Sequence, residues 1–347
     1  MLLVPPLFAG DPGDDEPYLP AREYLAGQFR VKDLIFVGEA HRVKEHAEFI
    51  ARMIPVLHRN GINLLFSEFA GFGDSALIDR LITAETYDDS LARQVAWNDS
   101  WDWAYKEYLD VYRAAWEVNR NLNPGEAPFR IIGLESRRYS GKDPETVWAE
   151  RIRKRSLDAG EKALVWCGLH HAFTSYYHPY YINDTLNGFV TSRLGNILYR
   201  KYPARVMTVV LHAPLRAAPG APVDNVIPGG GAIDSVVASL PDSLQEIGFS
   251  TNETRLGNCS LENTFYATGY VSFALKHLCH GYIVVKPVCS LHMVTLIPGF
   301  IRASNLKGTR KEAGMGDLEA AAFNDSIRSW LEAESRFLID VQERECR

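Results

Sequence analysis

The chain has 347 residues, 46% of them hydrophobic and 23% charged, with a formal net charge of −6. That balance is ordinary for a soluble globular protein and gives no electrostatic reason to expect nucleic acid or an anionic membrane as partner. No window approaches the ~18 apolar residues of a membrane span, and the N-terminal MLLVPPLFAGDPGDDEPY lacks the basic region and unbroken apolar core of a signal peptide.

The first predicted strand, Leu34–Val37, runs into Gly38-Glu39-Ala40-His41. Glycine at such a junction lets the backbone turn sharply or be approached closely. A helix over about 44–58 follows, with Ile50, Met53, Ile54 and Leu57 at helical spacing and Asn60-Gly61 as its stop. The second strand, Ile62–Phe66, ends in Ser67-Glu68, and Asp74 caps a short helix over 75–83. Residues 88–121 read as wholly helical and carry Trp97, Trp101, Trp103, Tyr105, Tyr108, Tyr112 and Trp116. These rings suit packing on the sheet and also an apolar lid above the strand ends.

The third strand, Phe129–Leu134, ends in Glu135, and a helix over 143–158 carries the one basic cluster, Arg151, Arg153, Lys154 and Arg155, read as a solvated face. The fourth strand, Leu164–Cys167, ends in Gly168-Leu169-His170-His171, a second Gly-x-x-His. Then come a polar and aromatic loop (174–178), a helix near 185–201 and a fifth strand, Arg205–Leu211, ending in His212. Residues 213–231, with four prolines and four glycines, read as a long loop. A short helix at 234–240, a strand at Gly281–Val285 and a last helix over about 317–341 complete the chain. Cys167, Cys259, Cys279, Cys289 and Cys346 include no CxxC pair, which suits a reducing, cytoplasmic compartment better than a disulfide framework.

Short continuous apolar strands alternating with helices imply an α/β fold with a mostly parallel sheet flanked by helices. We expect a single α/β domain over 1–347, with a helical insertion at 74–122 over the C-terminal edge of the strands. In parallel sheets those strand ends share one rim, where sites form. Glu39, His41, Glu68, Glu135, His171 and His212 would then face one rim. Two carboxylates and two imidazoles can activate water either by holding a divalent cation or without metal, a histidine taking the proton and a glutamate orienting it. Each residue also has a plainer reading. Glu39 and Glu68 could cap helices, His41 could be a surface residue, and Glu135 could pair with Arg137 or Arg138. No HExxH, G-x-S-x-G, G-x-G-x-x-G or Walker A motif occurs, which removes the common zincin, serine-hydrolase, dinucleotide and P-loop readings.

Gly38-Glu39-Ala40-His41, Ser67-Glu68, Gly168-Leu-His-His171 and the late strand Gly281-Tyr-Ile-Val-Val-Lys-Pro287 together resemble the superfamily of erythromycin esterase-like hydrolases, ChaN-like haem-binding proteins and Tiki (TraB-type) proteases. The resemblance implies Glu39, His41, Glu68 and His171 as catalytic residues of a hydrolase acting on an ester, lactone or amide in a small or peptidic molecule. The Tiki branch implies a divalent-metal-dependent peptidase with the same four residues as ligands, and the ChaN branch a non-enzymatic haem or flat-ligand binder. The cofactor expectation is therefore none or one divalent metal ion. Trp101, Tyr105, Glu135, His170 and Tyr176 are the expected substrate-binding residues. The second motif lacks the esterases' Trp-x-His-Asn-x-His form, although Trp166 stands in place.

Overall fold

The computed structural model describes residues 18–98, 103–136, 141–182, 185–298, 300 and 320–346. The chain opens with β1 (Leu19–Pro20), α1 (Ala21–Gln28), β2 (Leu34–Glu39), α2 (Lys44–Arg59), β3 (Leu64–Gly71), α3 (Ser75–Thr83), α4 (Asp89–Asn98) and α5 (Lys106–Arg120). Its middle holds β4 (Arg130–Glu135), α6 (Pro144–Ile152), β5 (Ala163–Gly168), α7 (Leu169–Ala172), β6 (His178–Ile182), β7 (Thr185–Val190), α8 (Leu194–Lys201) and β8 (Val206–Leu211). The remainder is β9 (Leu215–Arg216), β10 (Asn225–Val226), α9 (Ala232–Ser239), β11 (Ile247–Ser250), α10 (Leu275–Leu278), β12 (Gly281–Val284), α11 (Ala320–Glu334) and α12 (Arg336–Glu345).

Eight strands form one mixed sheet in the order β1-β11-β12-β8-β2-β5-β3-β4. From β12 to β4 every neighbouring pair is parallel, while β11 and β1 run antiparallel at the other edge. The central strands β2, β3, β5 and β8 are buried at every position, which explains why they read as unbroken apolar runs rather than alternating ones. Their side chains still divide by face. Ile35, Val37, Leu65, Leu164 and Trp166 pack with α2 and α5, whereas Leu34, Phe36, Phe66, Val165 and Cys167 pack with α6 and α8. The α2 stripe of Phe49, Ile50, Met53, Ile54 and Leu57 is wholly buried, as a helix covering a sheet requires.

Several sequence expectations change. The helix expected at 185–201 is strand β7 followed by α8. Residues 185–190 alternate exposed and half-buried, the period of a strand. The continuous helix expected at 88–121 is α4 and α5, with 99–102 outside the described residues. Together with α3, these helices pack on α2, β3 and β4, and they bring Trp103 and Tyr108 to the strand ends. The 213–231 loop contains the β9–β10 ribbon and a tight turn in which Gly229, Gly230 and Gly231 have φ of 62°, 60° and 82°. The last helix is two, broken at Ser335. Cys289 and Cys346 are joined by a disulfide, against the expectation of free thiols, while Cys167, Cys259 and Cys279 are buried thiols. No described helix is long and apolar enough to cross a membrane.

Candidate functional site

The two Gly-x-x-His segments end adjacent strands at the same height, with Gly38 paired to Cys167 and Glu39 to Gly168. Each glycine makes room for the other motif. A Cβ on Gly38 would lie 2.9 Å from the Ala172 Cβ, and one on Gly168 would lie 2.3 Å from Cε1 and 2.6 Å from Nε2 of His41. The glycines are thus explained by close packing between neighbours, not by a left-handed backbone.

At the end of β2, Glu39 is 1% exposed. Its Oε1 accepts from the Tyr108 hydroxyl of α5 at 2.5 Å, and its Oε2 accepts from the Trp166 indole of β5 at 2.7 Å. Burial raises the pKa of this carboxyl, opposed by its hydrogen bonds with His41, Tyr108 and Trp166. The His41 Nδ1 stands 3.3 Å from Glu39 Oε1. The ring packs on Trp103 and Phe69, with centroids 4.8 and 5.8 Å away. No described group hydrogen-bonds its Nε2.

At the end of β5, His171 lies between two carboxylates. Its Nδ1 is 2.9 and 3.0 Å from the two oxygens of Glu145, and its Nε2 is 3.4 Å from Glu68 Oε1. Glu68, on β3, also accepts from the Gly168 amide at 2.7 Å, so an acid of a third strand supports the second motif's backbone. Glu145 stands in the first turn of α6, whose start is fixed by Asp143 accepting from the Thr146 amide and by Pro144. It accepts further from Arg193 Nη1 at 2.9 Å and from the Leu194 amide at 2.8 Å, satisfying an orphan donor at the start of α8. Burial alone would lower the His171 pKa, but the facing Glu68 and Glu145 carboxylates overcome it and hold the imidazole above its ordinary value. Burial likewise works to raise Glu145, and His171, Arg193 and the Leu194 amide outweigh it, leaving the carboxyl below its usual range.

Glu39, His41, Gly168, His170, His171 and Arg193 line one side of a cleft of ≈ 560 Å³. Its other wall is Leu211, Ala213, Leu215 and Tyr266, together with Ala333, Glu334 and Phe337 from the C-terminal helices. Of the expected catalytic set, Glu39, His41 and His171 therefore share one cleft, and Glu68 stands just behind it. His170 also lines the cleft. Its Nε2 is 3.1 Å from the Tyr266 hydroxyl and its ring stacks on His178. Burial, reinforced by His178 and Arg193, lowers its pKa to about 3, so it is a neutral imidazole.

Other expected site residues stand elsewhere. Tyr105 is a fully buried core side chain, and Tyr176 is a core residue donating to the Tyr266 carbonyl at 2.6 Å; neither lines the cleft. Large rings here fill the interior, where their apolar area is most stabilising. Glu135 ends β4, three strands from β2, accepts from the Ser136 amide, and is not part of the cleft wall. Trp101 lies outside the described residues. His212 is buried between the Tyr282 hydroxyl (2.9 Å) and Asp234 (3.0 Å) and does not face the cleft. Sequence reasoning missed Glu145, Arg193 and Tyr108. The only local signal for Glu145 is Asp143-Pro144, which marks a helix start just beyond a strand end.

Among the described residues no three His, Cys, Asp or Glu side chains are grouped to hold a metal ion, and the His171 Nδ1 is committed to Glu145. The proposed ligand set thus does not fit a metal centre. His41 Nε2, with no described partner, is the imidazole nitrogen of the set that could hold a haem.

Residues 25–137 match the family model described as haem-binding uptake, Tiki superfamily, ChaN. That span carries Glu39, His41 and Glu68 and stops before Gly168. No curated protein sequence matches the chain. Among solved structures, a Bacillus cereus protein aligns at 10% identity over 79% of this chain and 92% of its own, with a TM-score of 0.48. The Vibrio vulnificus RRSP, a MARTX toxin effector domain, aligns at 17% identity over 55% of this chain and 36% of its own, with a TM-score of 0.35. ChaN of Campylobacter jejuni, described with cofacial haem binding, aligns at 14% identity over 55% and 85%, with a TM-score of 0.35.

Proposed function

We propose that this cleft hydrolyses an ester, lactone or amide in a small or peptidic molecule, using paired carboxylates and imidazoles. The observation that carries this reading is the pairing of the two strand ends. Two histidines, each oriented by a glutamate, stand side by side on one cleft wall and differ in their surroundings. Neighbouring titratable groups with divergent environments are how one site runs both base and electrophile chemistry.

In this reading Glu39 orients His41 through Nδ1, leaving Nε2 as the general base. Nε2 takes a proton from water as the water oxygen bonds to the carbonyl carbon. The carbonyl π electrons move onto the oxygen, next to the positive His171. The long 3.4 Å contact to Glu68 leaves the His171 Nε2–H free to donate to that oxyanion. On collapse the carbon–leaving-group bond breaks, and the leaving group takes the proton back from His41. Acid and alcohol or amine are released and both histidines return to their starting states.

Hydrolysis of p-nitrophenyl acetate by protein treated with chelator tests the reading. The unmodified chain should turn over, and His41→Ala and His171→Ala should both fall to background. Equal rates in all three proteins would sink it.

A second reading, haem binding, is supported by the family match and by the free His41 Nε2. A haem held there by His41 would supply an iron centre for electron transfer or ligand binding. The test is haem titration: a Soret band lost in His41→Ala supports it, and a band indifferent to that change counts against it.

A further inference from the structure

A second cleft, of ≈ 630 Å³, opens beside the first, between Pro179–Tyr181 and the segment from Ala217 to Asp224. The two share only three wall residues, His170, Arg193 and Arg216, so these form the junction of a longer groove. Arg193 is committed there: Nη1 donates to Glu145 and Nε donates to His178 Nε2 at 3.0 Å. His170 is neutral and held by Tyr266 and His178.

Arg216 differs from both. It is exposed, and its guanidinium carbon lies 4.7 Å from the centroid of the Phe265 ring. No described carboxylate pairs with it, although Asp224 lines the same cleft. Glu334, an acid of the first cleft, pairs instead with Arg42 at 3.3 Å. The Arg216 backbone is fixed in the β9–β10 ribbon, opposite Asn225, and the adjacent Ala217 amide donates to the Asp224 carbonyl at 2.7 Å. A guanidinium laid on an aromatic face keeps its N–H edge for a planar oxyanion. Among the described residues the groove thus carries one unpaired cation at its waist, Arg216, on a backbone held by the ribbon.

We propose that Arg216 anchors an oxyanion, a carboxylate or a phosphate, on an elongated ligand that runs from the His41–His171 cleft into the second one. Calling that ligand a substrate rests on the hydrolytic reading; the anchoring itself does not. Arg216 is a specificity residue in this scheme and takes no part in bond breaking. A neutral, compact ester would therefore be a poor match for the groove, and an ester extended by a terminal acid a good one.

The experiment compares p-nitrophenyl butyrate with mono-p-nitrophenyl glutarate, and measures glutarate and inorganic phosphate binding by calorimetry on the full chain. For the glutarate ester, Arg216→Gln should raise KM about tenfold with kcat held, the size of one lost charge-assisted hydrogen bond. Butyrate hydrolysis should not change, and Arg200→Gln, a remote exposed arginine, should behave as the unmodified chain. Arg216-dependent binding of glutarate but not phosphate assigns a carboxylate, and the reverse assigns a phosphate. If neither ester is turned over but an anion binds and is lost in Arg216→Gln, the hydrolytic reading fails and the anchor stands. Equal loss on both esters, or anion binding indifferent to Arg216, overturns the anchor.

Discussion

The two strand ends carry the same Gly-x-x-His pattern yet hold their carboxylates in opposite ways. At β2, Glu39 is surrounded by neutral donors, a phenol and an indole, and burial dominates, raising its pKa. At β5, Glu145 is met by a guanidinium, an imidazole and a helix N-terminal amide, which together lower its pKa. A carboxylate with neutral partners can share a proton with its histidine, whereas one held ionised by its partners favours the charged form of its histidine. A repeated motif therefore specifies position, and the elements packed around it specify chemistry.

The largest effect should come from removing the two histidines separately. His41→Ala should lower kcat/KM by roughly 10²–10⁴, the usual worth of a general base, and His171→Ala by roughly 10²–10³, the worth of an oxyanion donor. Loss on His41→Ala should be restored in part by added imidazole, which can replace a base more readily than a fixed cation. Rescue of both variants to the same degree would erase the distinction between the two ends.

Glu145→Gln comes next. With Glu145 uncharged, His171 loses one of the groups that keep it protonated, so the alkaline limb of the rate profile should move to lower pH. The same pair contributes to stability in a defined window. The lowered Glu145 pKa gives stability present above its unfolded value, near 4.5, and lost as pH falls through the folded one. The raised His171 pKa gives stability present below its unfolded value, near 6.5, and lost as pH rises through the folded one. The gap in denaturant midpoint between the parent chain and Glu145→Gln should therefore be widest between about 4.5 and about 6.5. A gap that is flat with pH would show that the pair does not titrate on folding.

Gly168→Ala sharpens the contrast sterically. The new methyl meets the far end of the His41 side chain, so the ring should swing aside, with activity down about tenfold or more and the midpoint little changed. Gly195→Ala, by contrast, meets the Phe173 carbonyl oxygen at 2.4 Å and should destabilise by about 1–3 kcal/mol through overpacking. The smallest effect expected is Tyr108→Phe. It removes one donor from Glu39 and should raise that carboxyl's pKa further, seen as a modest shift of the acid limb to higher pH. No shift would mean that His41 and the Trp166 indole govern Glu39 without the phenol.

Much of this was legible in the sequence where burial is symmetric. β2, β3, β5 and β8 lie in the sheet centre, so their apolar runs and polar ends marked both the strands and the rim. The four expected acids and imidazoles stand close to where the parallel order required. Glu145 was not legible, because an acid in a helix's first turn has an ordinary local explanation, and its partners Arg193 and Leu194 come from a distant segment. The aromatic load of 97–116 was misplaced at Tyr105 because ring content does not reveal which face a helix buries. The same holds for Phe337 and Glu334, whose cleft positions follow from how α11 and α12 fold back. At 185–190 the alternating Thr-Leu-Asn-Gly-Phe-Val pattern was there to be read, but the helical α8 that follows obscured its boundary.

The pairing of Glu39 with Gly168 ties the chemistry to the ladder itself. Inserting or deleting one residue within β2 or β5 would turn the rest of that strand over, sending Glu39 or Trp166 to the opposite layer and separating the glutamate from the indole. Lineages sharing this arrangement should therefore vary freely in the loops between these strands, while the number of residues inside each strand stays fixed.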